Sequence, residues 1–411
     1  MPAAARPYDV VVFGATSFVG RLVTSCLLDG FGTRGRLRWA AAGRSRERLQ
    51  ELRRALGPKA ARVPLLVADA EDEASLRRMC AESRVVASTV GPYALHGEPL
   101  VRVCAATGTD YCDLTGEVQW IGRMLDRYEA VARKSGARVV HCCGFDSVPS
   151  DLGVYFLQQE ALERFGRPCS RVKMRVKAMR GGFSGGTVAS AMNAVKEAVA
   201  DPALRKALAN PYSLCPKGRG TTTRQPRVRA AEFDADFSSW LAPFVMGVVN
   251  TRIVHRSNAL SRYSYGREFR YDEAVMTGRG LAGRLAATGL SAGMAGLFAA
   301  AAFGPVRDAI ERYVAPPGSG PDAESRRLGF YDLRFLGRAE DGRSIRVKVT
   351  GQGDPGYGST SKILAQAAAC LALDVPRTRL RGGFWTPATA FGGRLIERLQ
   401  AHADMSFEVL E

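Results

Sequence analysis

The sequence is poor in acidic residues and has no ordered arrangement of cysteines. It holds 40 Asp and Glu against 58 Lys and Arg, a net charge of +18, and its nine cysteines are dispersed and odd in number. This pattern predicts reduced thiols, a cytoplasmic location and no metal site. The N-terminal residues lack the apolar core of a secretion signal. Without zinc-finger spacing, a base-reading helix or an aromatic platform, the positive charge suits anionic cofactors, acyl carriers or an anionic lipid surface, and not specific nucleic-acid recognition.

The length and the order of the sequence patterns predict two domains. A chain of 411 residues is too long for one ordinary hydrophobic core. Over residues 1–150, strand and helix patterns alternate, which indicates an α/β domain with a Rossmann-type parallel sheet. Residues 151–411 mix the two patterns and predict a second α+β domain for substrate binding or dimerisation, whose segment 380–411 packs back on the first domain. Two alternating runs on either side of Asp341-Gly342 predict a hairpin in this domain, and a helix is expected over 387–399. The six strands expected in the first domain lie near 8–13, 37–42, 63–68, 84–90, 110–114 and 137–142.

A glycine-containing turn follows the first predicted strand. The strand is apolar and β-branched, and Gly14 comes directly after it, where the chain must turn tightly. Gly20 lies where a small residue lets the next helix pack on the sheet. Free N–H groups at such a helix N-terminus bind a pyrophosphate. We therefore expect a dinucleotide at this turn, although a purely structural turn is the alternative. The binding residues expected here are Gly14, Thr16, Ser17, Phe18 and Gly20.

The end of the second predicted strand favours NADP(H) over NAD(H). Enzymes that prefer NAD place an acidic residue there, which holds the ribose 2′-hydroxyl. This chain has Gly43, Arg44 and Ser45 instead. A guanidinium can bind the 2′-phosphate by charge-assisted hydrogen bonds. The alternative is that Arg44 only begins a solvated helix.

Further candidate cofactor-binding and catalytic residues lie at the other strand ends, because ligands of such sheets bind at the carboxyl ends of the strands. Asp69 could contact the adenine edge or cap the next helix. Gly91 and Tyr93 follow the fourth strand, where a nicotinamide would lie, and Tyr93 could donate a proton or pack against the cofactor. Asp146 follows the sixth strand and either acts in catalysis or caps the helix that begins near Pro149.

The second half of the chain contains an uncharged segment. Leu285 to Val306 has no charged residue and lies within an apolar helical stretch, 281–311, with Arg284 and Arg307 on either side. Its length approaches the ~20 residues that span a bilayer, but Ala and Gly dominate it. Three interpretations stay open: an interior or dimer-interface helix, a contact with an anionic membrane surface, and a true span.

Several motifs together resemble the saccharopine dehydrogenase-like oxidoreductases, in the branch of the mycobacterial trans-acting enoyl reductases and the animal saccharopine dehydrogenase-like protein. The matching segments are VVFGATSFVG (11–20), AAGRSRERL (41–49), STVGPYALHGEPLVRVCAATGTDYCDLTGE (88–117), GFDSVPSDLG (144–153) and LRGGFWTPATAFGGRLIERL (380–399). As an ordered set they are specific, although each alone is weak.

The resemblance implies a Rossmann domain, a nicotinamide cofactor and reduction of a double bond in a lipid-like or polyketide-like acyl substrate, free or carrier-bound. Such a reaction needs a hydride, a proton donor and a donor to the developing oxyanion. Tyr93 and Asp146 are the candidate catalytic residues. Two other functions stay open: a non-catalytic, nucleotide-bound protein that contacts lipid surfaces or partners, and a saccharopine-type amino acid dehydrogenase.

Overall fold

Two seven-stranded sheets form the framework of the protein in a computed structural model, which describes residues 6–182, 185–218, 221–313 and 320–410. The first sheet is parallel at every pairing. Its strands are β1 (Tyr8–Phe13), β2 (Trp39–Gly43), β3 (Leu65–Val67), β4 (Ser83–Ser88), β5 (Asp110–Asp113), β6 (Arg138–Val140) and β13 (Gly383–Trp385), in the order β13-β6-β5-β4-β1-β2-β3.

Helices cover both faces of this sheet, which explains why its central strands are apolar throughout. Val10, Val11 and Val12 of β1 are completely buried. The helices of this half are α1 (Phe18–Phe31), α2 (Arg46–Ala55), α3 (Glu73–Glu82), α4 (Tyr93–His96), α5 (Glu98–Thr107) and α6 (Val118–Ser135), with a 3-10 turn at Pro58–Ala60. All six strands predicted from the sequence are present, and the Rossmann-type prediction is confirmed.

The second sheet is mixed, with β7 and β10 parallel and the other pairs antiparallel. A long helix, α7 (Val148–Phe165), leads into it from the first sheet. The predicted hairpin at Asp341-Gly342 joins two of its strands in register. Its strands are β7 (Arg171–Arg180), β8 (Glu232–Asp234), β9 (Ser239–Pro243), β10 (Arg270–Gly278), β11 (Phe330–Arg338), β12 (Ser344–Gln352) and β14 (Met405–Leu410), in the order β14-β12-β11-β7-β10-β9-β8.

The remaining helices connect and cover the two sheets. One of them, α14, packs on β4, β5 and α1 of the first sheet, although it follows the second-sheet strand β12 in sequence. The C-terminal segment is likewise divided, because β13 pairs with β6 and β14 pairs with β12. These helices are α8 (Gly185–Ala200), α9 (Pro202–Ala209), α10 (Gly247–Leu260), α11 (Gly280–Ala302), α12 (Gly304–Tyr313), α13 (Ala323–Arg327), α14 (Thr360–Leu373), α15 (Pro387–Ala390) and α16 (Gly393–His402), with a π-helical turn at Pro355–Ser359.

Two expectations for the second half need correction. The helix expected over 387–399 is two helices, α15 and α16, because Gly392 between them adopts a φ of 54° that ends the first. The apolar helical stretch expected over 281–311 is divided at Phe303 into α11 and α12, and α11, which contains most of the uncharged segment, is largely exposed and therefore is not an interior helix of this chain. The dimer-interface, membrane-surface and spanning interpretations stay open at this point.

Candidate active site

The carboxyl ends of β1, β2, β4, β5 and β6 meet at one edge of the parallel sheet, where such folds bind ligands. This edge contains the glycine turn, the Arg44 turn, Tyr93 and Asp146. We first describe the turn, then the proposed 2′-phosphate position, and then the carboxylates.

The turn after β1 is shaped by two glycines that no larger residue could replace. Gly14 has a φ of 82°, and a Cβ on it would lie 2.7 Å from Cγ2 of Val90 and 2.8 Å from Oγ1 of Thr89. A Cβ on Gly20 would collide with the carbonyl oxygen of Gly14. The backbone of the turn thus lies close to both α1 and the two residues after β4, so that neither glycine has room for a side chain.

The first turn of α1 retains free donors. The hydroxyl of Ser17 caps the helix by accepting the N–H of Gly20 at 3.0 Å, and Ser17 donates its own N–H to Gly14 at 2.9 Å. Among the described residues, the N–H groups of Phe18 and Val19 have no backbone acceptor. Together with the space left by Gly14, these donors fit a pyrophosphate.

Residues from the second half of the chain lie over this turn, and sequence reasoning missed them. The ring of Tyr357 contacts the ring of Phe18 edge-on at 4.8 Å, and the guanidinium of Arg326 lies 5.3 Å from the centre of the Phe18 ring. Gly320 is so close to the same ring that a Cβ would reach within 2.5 Å of Cε1. The turn is therefore covered on one side, and no local sequence signal connects positions more than 300 residues apart.

Arg44 is exposed at the end of β2 and pairs with no acidic side chain of the described residues. Gly43 lies beside the turn, since a Cβ on it would be 3.7 Å from Oγ1 of Thr16. The hydroxyl of Ser45 accepts the N–H of Arg48 and so caps α2, and it donates to Glu47 at 2.8 Å. The guanidinium of Arg44 is thus free to bind an anion beside the turn.

Asp69 does not cap α3. That place belongs to Asp72, whose carboxylate accepts the N–H of Ala74 at 3.0 Å. Asp69 instead accepts the N–H of Glu71 at 3.1 Å and shapes the turn after β3. Its contact with an adenine edge stays a prediction.

Tyr93 is the first residue of α4, after Gly91, and it is almost fully buried. Its hydroxyl donates to the carbonyl of Ser88 at 3.0 Å and accepts the N–H of Leu114 at 3.1 Å. Burial, followed by the charge of Asp113, raises the pKa of Tyr93 well above 10. A hydroxyl held between two backbone groups agrees with the packing role better than with proton donation.

A buried carboxylate fixes the start of α4. Glu117 accepts the N–H groups of Tyr93 at 2.8 Å and Ala94 at 2.9 Å, and it also accepts the hydroxyl of Ser190 from α8 at 2.8 Å. Burial raises the pKa of Glu117. These bonds fasten the segment after β4, which contains Tyr93, to a helix of the second half.

Asp146 is partly exposed and lies in the turn between β6 and α7. It forms no hydrogen bond or ion pair with any described residue. Its Oδ2 lies 4.0 Å from the position of a Cβ on Gly116, and Cε of Met246 lies 3.9 Å from the same point. Burial and, second, the charge of Asp113 raise the pKa of Asp146 to about 7. It does not cap α7, whose first turn has no side-chain cap.

Asp113, whose charge contributes to the raised pKa of Asp146, is itself paired with a histidine. Nδ1 of His141 lies 2.6 Å from Oδ2 of Asp113, and both side chains are buried. Oδ1 of Asp113 accepts the N–H groups of Thr115 and Cys142, each at 3.1 Å. His141 was not predicted, because a lone histidine after a strand carries no distinguishing pattern.

A second buried polar cluster adjoins this edge. The amide of Asn250 accepts the hydroxyl of Ser147 at 3.0 Å and donates to Ser150 at 3.1 Å and to Glu273 at 2.9 Å. Tyr271 donates to Glu273 at 2.7 Å, and burial raises the pKa of that carboxyl to about 7. The cluster joins α7 to α10 and β10, and sequence reasoning missed it because its members are far apart in the chain.

Comparison with known proteins agrees with this arrangement. The saccharopine dehydrogenase NADP-binding domain family matches residues 10–140. A Mycobacterium tuberculosis protein, provisionally named a trans-acting enoyl reductase, is 40% identical over 98% of this chain and 97% of its own length. A trans-acting enoyl reductase of Mycobacterium bovis is 39% identical, with 97% of each chain covered.

The fold is shared with a solved structure. Saccharopine dehydrogenase (L-Glu forming) from Saccharomyces cerevisiae, in its apo form, superimposes with a TM-score of 0.53 at 13% identity over 98% of this chain and 100% of its own. The glycine turn and the unpaired Arg44 fit NADP(H), which is the cofactor of this oxidoreductase. The chain belongs to the saccharopine dehydrogenase-like oxidoreductases, in the branch of the trans-acting enoyl reductases.

Proposed function

We propose that this NADP(H)-dependent oxidoreductase reduces the carbon–carbon double bond of a hydrophobic, carrier-bound acyl substrate, with Asp146 as the proton donor. The observation that carries the proposal is the environment of the Asp146 carboxyl and its raised pKa. It is a partly buried carboxyl with no hydrogen-bond partner among the described residues and a pKa of about 7, at the strand ends that also hold the cofactor turn.

The chemistry requires one hydride and one proton. When bound, NADPH supplies the hydride that the β carbon of the substrate accepts. The electron pair of the double bond then becomes an enolate, whose α carbon takes a proton. Asp146 is about half protonated at pH 7 and largely protonated below it, so it can supply this proton and is reprotonated from solvent.

The surroundings of Asp146 suit an apolar chain next to the reacting atoms. Met246 and Phe145 are both largely buried beside it, and Gly116 leaves room where a side chain would stand. The N–H of Phe145 donates to the hydroxyl of Thr360 at 2.8 Å, and its ring lies 4.7 Å from that of Tyr331. These contacts hold the segment before Asp146 in place, as a proton donor requires.

The relatives and the charge of the chain support the class of substrate. Relatives of 37–40% identity over nearly the whole chain are named trans-acting enoyl reductases. An enzyme that acts in trans must meet an acyl group presented by another protein. A net charge of +18 favours a carrier that is acidic or that bears a phosphopantetheine arm.

The test is NADPH oxidation with enoyl thioesters of increasing chain length, presented on coenzyme A and on a phosphopantetheinylated carrier. We expect turnover with the 2-enoyl thioesters and none with the saturated ones. Turnover only with glutamate and an amino-acid semialdehyde would establish the saccharopine-type reaction instead, and no turnover with either set would contradict the proposal.

A matched pair of variants tests the role of Asp146. Asp146→Asn should lower kcat by roughly 10²–10⁴-fold with unchanged NADPH binding, because the proton donor is lost. Asp151→Asn is the control, since Asp151 also has a pKa of about 7 but is bonded to Ser257 and to the N–H of Ala388. If both variants retain full activity, Asp146 is not the donor.

A further inference from the structure

Helix α11 is an apolar helix that the rest of the described chain leaves largely uncovered. Only 11% of its most apolar 18-residue window is buried. Leu285 is 63% exposed, and Leu297 and Phe298 are 49% and 39% exposed. Such a continuous exposed apolar surface on a soluble domain marks a contact with another partner.

The small residues of α11 do not serve helix packing within this chain. A Cβ placed on Gly289, Gly293 or Gly296 would meet no atom within 4 Å. The face that could allow close helix approach therefore has nothing against it among the described residues.

The start of α11 is fastened to the second sheet, and this restricts what its remainder can do. Thr277 donates its hydroxyl to the carbonyl of Gly283 at 2.8 Å, the guanidinium of Arg284 lies 5.4 Å from the centre of the Trp240 ring, and Ala287 is fully buried. The part beyond Ala287 is about 21 Å long at 1.5 Å per residue. It is shorter than the ~30 Å hydrocarbon core of a bilayer, so a span would require the helix to leave the sheet.

Charge identifies the partner surface. Residues 285–306 contain no charged side chain, and Arg279, Arg284 and Arg307 stand at the two ends of the segment in a chain of net charge +18. An apolar helix that is bordered by basic residues, and whose part beyond Ala287 is too short to span, suits the interface of an anionic bilayer. We propose that α11 docks the protein on an anionic membrane surface, with its apolar face among the acyl chains and these arginines at the headgroups.

The position of α11 places this surface close to the candidate active site. The helix packs against α8, and Ser190 of α8 donates to Glu117, which holds the backbone of Tyr93. Helix α8 therefore lies between the proposed membrane surface and the segment that contains Tyr93, so a hydrophobic substrate could move from the bilayer toward the candidate active site. The docking itself does not depend on which reaction the protein catalyses.

The experiment measures co-flotation of the full chain with vesicles of phosphatidylcholine alone and of phosphatidylcholine with phosphatidylglycerol, at low and high salt. We expect binding to the anionic vesicles that weakens with salt. The double variant Leu297→Asp with Phe298→Asp should lower the partition coefficient at least about tenfold. The matched control is Val131→Asp with Leu162→Asp, at residues 39% and 38% exposed elsewhere, and it should bind as the unmodified protein does.

A second variant separates the bilayer from a second copy of the chain. Gly293→Leu adds apolar surface at an open position, so it should strengthen vesicle binding several-fold. In a dimer built on close helix approach, the same change would block the contact. Absence of vesicle binding, equal binding to neutral and anionic vesicles, or an oligomer that dissociates in Gly293→Leu would each overturn the proposal.

Discussion

Replacing Arg44 by Ala should weaken NADPH binding selectively. Arg44 is exposed and unpaired among the described residues, so its interaction with a 2′-phosphate takes place at a dielectric close to that of water. At about 4 Å, a guanidinium and a phosphate of charge about −2 then attract each other by roughly 2 kcal/mol. With the charge-assisted hydrogen bonds included, we expect a loss of about 1–3 kcal/mol, which corresponds to a roughly 5- to 150-fold higher Kd.

The measurement is isothermal titration of NADPH and NADH into the unmodified protein and into Arg44→Ala. Binding of NADH should be nearly unchanged, and the difference for NADPH should shrink at high salt because an exposed pair is screened. Arg54→Ala is the control, since it removes the same charge from the exposed last turn of α2. Equal losses for both cofactors, or the same loss in Arg54→Ala, would refute the 2′-phosphate role.

Three further predictions concern the turn, Tyr93 and a buried carboxyl. Gly14→Val should abolish NADPH binding measured by calorimetry, while circular dichroism shows a folded protein, because the φ of 82° and the contacts with β4 leave no room for a side chain. Tyr93→Phe should lower the free energy of unfolding by about 1–3 kcal/mol, since it leaves the partly buried N–H of Leu114 without its acceptor. The variant should retain most of kcat. A loss of kcat beyond about 10³-fold with normal stability would instead make Tyr93 the proton donor. Burial raises the pKa of Asp151 from 3.8 to about 7, so the folded state keeps a proton that the unfolded state releases, and stability decreases as the pH rises from about 4 to about 7. Asp151→Asn should flatten this slope in urea titrations and be the more stable form at pH 8, by up to about 4 kcal/mol.

The cofactor half of the site could be predicted because its signals are local. Gly14, Gly20 and the residues of the Arg44 turn lie within 40 residues of one another, Gly14 and the Arg44 turn at strand ends and Gly20 in the first turn of α1. The apolar run of β1 identifies a buried parallel strand, and a strand followed by glycine and a helix has few structural solutions. The structure places these residues together at one edge of the sheet.

For the catalytic residues, the sequence could supply only candidates. Asp146 was identified by its position after a strand, but its raised pKa depends on its burial in the fold and on the charge of Asp113, 33 residues earlier. The capping role expected for Asp69 belongs to Asp72, because the turn after β3 is longer than the sequence pattern indicated. Glu273 and Asn250 carried no pattern at all.

Periodicity and turn chemistry by themselves predicted the parallel sheet, the glycine turn after β1, an NADP(H) cofactor and the hairpin at Asp341-Gly342, since each depends on residues that are neighbours in the chain. Only the tertiary structure decided which distant groups meet. It placed Tyr357 and Arg326 over the turn, used the Tyr93 hydroxyl for backbone hydrogen bonds, and left α11 uncovered. An apolar helix has the same sequence pattern whether it is buried or exposed, because burial depends on what the rest of the fold brings against it.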